Sequence, residues 1–150
     1  MRILFASVMM ITFETSSALA GIVTKCESPA GYAYYFSGAL VPQAKAGWKR
    51  DGLSKGRYFV TRDAAGGYDI MFTDALNRTI SSREDGGHIV EVSQSDDHLI
   101  LIVTYPGIKV ETWYFNIDRM GIGKLTISQA KYQGDAFVHK HSLMMAVCSR

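Results

Sequence analysis

The sequence predicts an all-β protein, an antiparallel meander of about eight strands forming a small barrel or a strongly curved sandwich. Three observations predict it. Apolar and polar residues alternate with a period of two from residue 32 towards the C-terminus, the repeat that sends successive side chains to opposite faces of a strand. Short stretches rich in Gly, Pro, Asn, Asp and Ser interrupt that alternation at hairpin-like intervals. The two cysteines, Cys26 and Cys148, stand near opposite ends of the chain, and a bridge between them requires the first and last strands to end side by side.

The elements follow in chain order. Residues 1–20 read as a cleaved signal peptide, with Arg2 as the positive start, an apolar run over 3–13, and Ala18-Leu19-Ala20 as the processing site. That run is too short for a bilayer, which takes about 20 apolar residues. Residues 21–150 then form a single exported β domain, periplasmic or secreted, with no further membrane-spanning stretch. Export puts Cys26 and Cys148 in an oxidising compartment, where they pair. Closing a loop 122 positions long restricts the unfolded chain by up to about 5 kcal/mol.

Residues 32–36 follow the turn Ser28-Pro29-Ala30-Gly31 and form the first clear strand. Strands at 57–62 and 68–73 are joined by Asp63-Ala64-Ala65-Gly66-Gly67, and a short one at 79–83 follows the turn at Asn77. Glu84-Asp85-Gly86-Gly87 leads into 88–93, and Ser95-Asp96-Asp97 into 99–105. The nearly continuous apolar character of 99–105 predicts a central strand. Pro106-Gly107 suits a tight turn, with Pro fixing φ and Gly accepting a positive one. In 108–117, Val110, Thr112 and Tyr114 share one face, and Trp113, Phe115 and Ile117 the other. A loop at 120–123 precedes strands at 124–132 and 143–148, where Leu143, Met144, Met145 and Val147 read as core packing. Residues 41–55, with Pro42, Gly47 and Gly52, read as a long loop with room for one helical turn. Residues 136–146 suit helix as well as strand.

The net charge of +2 exerts no global pull on nucleic acid, yet it hides a segregation. Residues 45–62 balance to +5 and residues 63–97 to −6. The basic segment contains an aromatic, so Lys45, Trp48, Lys49, Arg50, Lys55 and Arg57 are the candidate partner-binding residues. They suit an envelope or extracellular protein or an anionic glycan. The competing reading makes Trp48 a plug at one end of the barrel, with the lysines merely solvated.

Catalytic motifs are absent: the sequence contains no G-x-S-x-G, H-E-x-x-H, P-loop or G-x-G-x-x-G. His139 and His141 are weak candidate metal ligands, since on an extended segment both imidazoles leave one face about 7 Å apart. The pairs Glu84-Asp85 and Asp96-Asp97 lack calcium-loop spacing. No cofactor is expected. The preferred function is a non-enzymatic binding or inhibitor module. Its rivals are a β-barrel carrier of a small apolar ligand, lined by Tyr34, Phe36, Phe72, Trp113 or Tyr114, and a hydrolase with an unrecognised carboxylate or His site.

Several stretches also carry a resemblance. Residues 26–34 (CESPAGYAY), Tyr68-Asp69-Ile70, Tyr105-Pro106-Gly107, Val110-Glu111-Thr112-Trp113 and the closing Cys148 together resemble a family of small exported bacterial β-rich proteins with one terminal disulfide and no assigned activity. In architecture alone the chain is similar to periplasmic lysozyme inhibitors, which implies a disulfide-stapled β-barrel. Their inhibitory loop residues have no counterpart in this sequence, so the likeness extends to fold only.

Overall fold

The computed structural model describes residues 21–74, 76–118, 122–132 and 138–149. They form ten strands: β1 (Gly21–Tyr35), β2 (Gly47–Gly52), β3 (Arg57–Arg62), β4 (Tyr68–Thr73), β5 (Thr79–Ser81), β6 (His88–Gln94), β7 (His98–Tyr105), β8 (Lys109–Ile117), β9 (Gly123–Lys131) and β10 (Lys140–Ser149). One 3₁₀ turn, Gln43–Lys45, is the only helical element among the described residues. All ten strands belong to one antiparallel sheet in the order β5-β4-β3-β1-β10-β9-β8-β7-β6, with β2 added to β1. The sheet curls into a half-barrel.

Side-chain parity builds the core. Every second residue of β7 is buried (Leu99, Leu101, Val103, Tyr105), and so are Trp113 and Phe115 of β8 and Leu125 and Ile127 of β9. Met144, Ala146 and Cys148 continue the same concave face on β10, and Val60 and Ile70 meet them from β3 and β4. Each large apolar side chain so buried contributes about 1.5–3 kcal/mol.

The hub is β1. One edge pairs with β10 over Lys25–Tyr35; the other pairs with β3 over Gly21–Glu27 and with β2 over Ala30–Tyr35. The change of partner falls where Ser28 takes a φ of 51° and the β10 register shifts between Glu27 and Ala30. The β2–β3 turn docks there, Ser28 N donating to Gly56 O at 2.8 Å and Leu53 N to Pro29 O at 3.0 Å. Gly31 is required nearby, because a Cβ on it would collide with the Leu143 carbonyl and come within 2.8 Å of Met144 Cα. Cys26 and Cys148 are a register pair of β1 and β10, joined by the disulfide and both in the core.

The turn chemistry at 63–67 and 106–107 behaves as expected, but the turn expected at 28–31 is a bulge inside β1, which begins well before residue 32. Asp63 N donates to Gly67 O while its carboxylate accepts from Gly67 N, and Gly66 takes a positive φ. Gly107 takes a φ of 73° after Pro106. Four further expectations need correction. There are ten strands where about eight are expected, because β2 lies in the segment read as a loop. An edge strand with Trp48, Lys49 and Arg50 all exposed has no apolar alternation to reveal it. The helix option for 136–146 fails over its described part, which is β10 from Lys140 onward. Strand β7 is not central: it lies one strand from the sheet's end, with Ile100 and Ile102 half-buried. Finally, β10 is not apolar on both faces for packing, since Met144 is buried whereas Leu143, Met145 and Val147 are exposed. The signal-peptide segment 1–20, and residues 120–121 of the expected loop, lie outside the described residues.

Candidate functional site

Two faces of the half-barrel carry chemistry, and strand parity separates them. On β2, alternate residues Trp48 and Arg50 pair with Tyr34 and Tyr32 of β1, which pair in turn with His141 and Leu143 of β10. Leu143 lies opposite Ser128, and Met145 opposite Thr126 of β9, whose own partner is Tyr114 of β8. These side chains therefore share the convex face. Trp48, Tyr32, Leu143, Met145, Val147 and Tyr114 are all exposed on it. One shallow groove runs between Tyr32, Arg50, Leu143 and Met145, and a second hollow joins Met145 to Tyr114 and Lys124. Monomeric proteins seldom leave so many large apolar side chains contiguous in water.

The rings at one end of this face brace each other. Tyr34 meets Trp48 edge-on at 5.6 Å and Phe36 at 5.0 Å, and Phe36 meets His141 at 5.4 Å. Across β2, β1, β10, β9 and β8, the convex strand positions carry Lys25, Arg50 and Lys124 against one carboxylate, Glu27. Lys25 Nζ holds Glu27 at 2.5 Å, and this hydrogen bond and charge keep its carboxyl below the usual range.

The concave face holds a buried polar cluster. Lys109, Glu111 and Trp113 are alternate residues of β8, and Gln129 is the register partner of Glu111 on β9. Glu111 is only 4% exposed. Its Oε1 accepts from Lys109 Nζ at 2.8 Å and Gln129 Nε2 at 2.6 Å, and its Oε2 accepts from Trp113 Nε1 at 3.1 Å. Lys109 Nζ sits 4.0 Å from the centre of the Tyr105 ring, and Tyr58 packs edge-on to Trp113 at 4.9 Å. A cavity of about 230 Å³ opens here, walled by Leu53, Tyr58, Phe72, Trp113, Ile127 and Met144. Burial first, and the Glu111 charge second, push the Tyr58 hydroxyl up to about 12. Burial likewise pushes Tyr105 up to about 12.

The expected partner-binding residues do not form one patch. Trp48 and Arg50 lie on the convex face, whereas Lys49 pairs with Ala33 and leaves β2 on the opposite side. Lys45 closes the 3₁₀ turn. Lys55 and Arg57 line a separate hollow with Glu27 and Asn77, where Arg57 Nη2 donates to Asn77 Oδ1 at 2.9 Å. Trp48 plugs nothing: it is 69% exposed, and the core tryptophan is Trp113 at 3%. Of the expected carrier lining, Phe72 and Trp113 reach the cavity, while Tyr34 and Tyr114 lie on the convex face and Phe36 packs beside Tyr34. His141 is on the convex face of β10, and the His139 carbonyl accepts from Phe36 N at 3.1 Å. Among the described residues no group of three or more His, Cys, Asp or Glu side chains converges to hold a metal.

Sequence reasoning missed the Glu111 cluster, although its signal was present. Trp113 and Phe115 mark the buried face of β8, and the same parity carried back two and four residues places Glu111 and Lys109 there. Comparison with protein families, curated proteins and solved structures finds no match for this chain.

Proposed function

We propose that this protein is an exported, non-enzymatic binding or inhibitor module that holds an acidic protein partner against its convex face. The observation that carries the reading is the contiguous exposed row of Trp48, Tyr32, Leu143, Met145 and Tyr114, flanked by Arg50 and Lys124. Trp, Tyr, Met and Arg are the residue types enriched at protein interfaces. A surplus of basic side chains around the row favours a partner whose apolar patch is rimmed by carboxylates. Ten strands and a core disulfide hold the row rigid, which lowers the ordering cost of binding. Export is supported by the order of Arg2, the apolar run and Ala18-Leu19-Ala20.

The test uses oxidised chain 21–150 as bait for an envelope extract. Wild type and Lys49→Glu retain one stoichiometric protein, and Trp48→Ala and Arg50→Glu each lose it by tenfold or more. Equal recovery by all four proteins overturns the reading. Capture that survives protease but not glycan digestion reassigns the face to an anionic glycan. N-terminal sequencing of the exported protein is expected to begin at Gly21; an intact chain kept in the cytoplasm counts against export.

A further inference from the structure

The concave cavity is a second site, on the opposite side of the sheet from the convex face, and it stands or falls separately. Its volume of about 230 Å³ exceeds the roughly 150 Å³ that accepts a benzene molecule and falls short of the roughly 300 Å³ where drug-sized sites begin. A single ring with a small substituent is therefore the right size. The walls suit a ring, since Trp113, Tyr58 and Phe72 meet there with Leu53, Ile127 and Met144. The charges in the lining are already matched. Lys109 and Glu111 offset each other at 2.8 Å, and Asp74 is held by Arg78 Nη2 at 2.7 Å. A charged ligand would bring an unmatched charge out of water, at a cost the site does not offset.

The remaining hydrogen-bonding capacity sets the substituent. Glu111 Oε1 accepts twice and Oε2 once. The capacity left in the cavity lining comprises the rest of the Lys109 ammonium, the Tyr58 hydroxyl and the Tyr105 hydroxyl, which is buried without a partner among the described residues, as donors, and Gln129 Oε1 and the second lone pair of Glu111 Oε2 as acceptors. We infer that the concave cavity binds a compact, uncharged aromatic molecule bearing a carboxamide or similar carbonyl group. The ring lies against Trp113 and Phe72, the carbonyl accepts from Lys109 and Tyr58, and the amide N–H reaches Gln129.

Benzamide, benzoate and toluene are the probes, titrated into the oxidised protein with ¹³C-labelled Met and Ile methyl groups. Met144 and Ile127 line the cavity, whereas Met145 lies on the convex face and serves as the internal control. Benzamide is expected to shift Met144 and Ile127 saturably and leave Met145 unmoved, with benzoate at least tenfold weaker. Tyr58→Phe removes one donor without opening space, and is expected to weaken benzamide about three- to tenfold with toluene unaffected. The inference is overturned if benzamide causes no saturable shift up to its solubility limit. It is also overturned if Met145 moves as much as Met144, if benzoate binds as tightly, or if Tyr58→Phe binds benzamide as wild type does.

Discussion

Glu111 has exchanged water for three fixed donors, and Lys109 supplies the charge that makes this exchange tolerable. Removing one member of a buried ion pair leaves the other uncompensated, typically the most damaging polar change a core can suffer. Lys109→Met is therefore expected to cost about 3 kcal/mol in urea unfolding at neutral pH, and adding Glu111→Gln is expected to recover much of that loss. A single variant as stable as wild type would show that the cluster is not coupled. Two tyrosines of the concave face, Tyr105 buried and Tyr58 partly so, make a pH prediction. Tyr58 and Tyr105 hold their protons to about 12 in the folded state, against an ordinary value of 10.0. Between those values the unfolded chain releases protons that the folded chain keeps, so stability is complete below pH 10 and falls as pH rises towards 12. The urea midpoint should drop between about pH 9 and pH 11, and less steeply in Tyr58→Phe; a constant midpoint contradicts the assignment.

At the scale of elements, β1 decides the architecture. Its single edge serves β2 and β3 in succession, and its other edge carries β10 and the disulfide. The close approach of β10 at Gly31 makes that position intolerant. Gly31→Ala is expected to cost about 2–3 kcal/mol, whereas Gly38→Ala, with open space around it, stays within about 0.5 kcal/mol. Denaturation of the two variants side by side checks this, and equal stabilities would mean that β1 and β10 can separate at Gly31 without penalty. The strand that sequence parity locates well is β8, with Trp113 and Phe115 buried and Thr112 and Tyr114 exposed; β7, apolar throughout in sequence, shows its one buried side only in the structure. The strand it misses, β2, is an exposed edge in which hydrophobic periodicity has no cause.

For the whole molecule, the curl of one sheet produces two surfaces of opposite character. The concave side packs the core and keeps a small, mostly apolar cavity with one polar cluster, and the convex side leaves Trp48, Leu143 and Met145 in water. Side chains that bury little on folding contribute little to stability. Trp48→Ser with Leu143→Ser is therefore expected to leave the unfolding free energy within about 0.5 kcal/mol per site, while Trp113→Ala loses about 3–5 kcal/mol. Calorimetry of the two proteins checks this contrast. A large loss in the double variant would mean that the convex row supports the fold and is not kept for a partner.

What the sequence by itself determined is local or pairwise in chain order: strand parity, the turns at Gly66 and Gly107, and the pairing of the only two cysteines. These depend on backbone sterics and a two-residue repeat, which need no knowledge of neighbours. Only the tertiary structure decided which strands lie side by side and, where both faces are apolar, which side faces in. It put Leu143 and Met145 outside beside Trp48, separated Lys49 from Arg50, and gathered Lys109, Glu111 and Gln129 into one buried cluster. The physical reason is register: a side chain's neighbours across a sheet come from strands distant in sequence, and the sheet's curl then assigns one face to the core and the other to solvent.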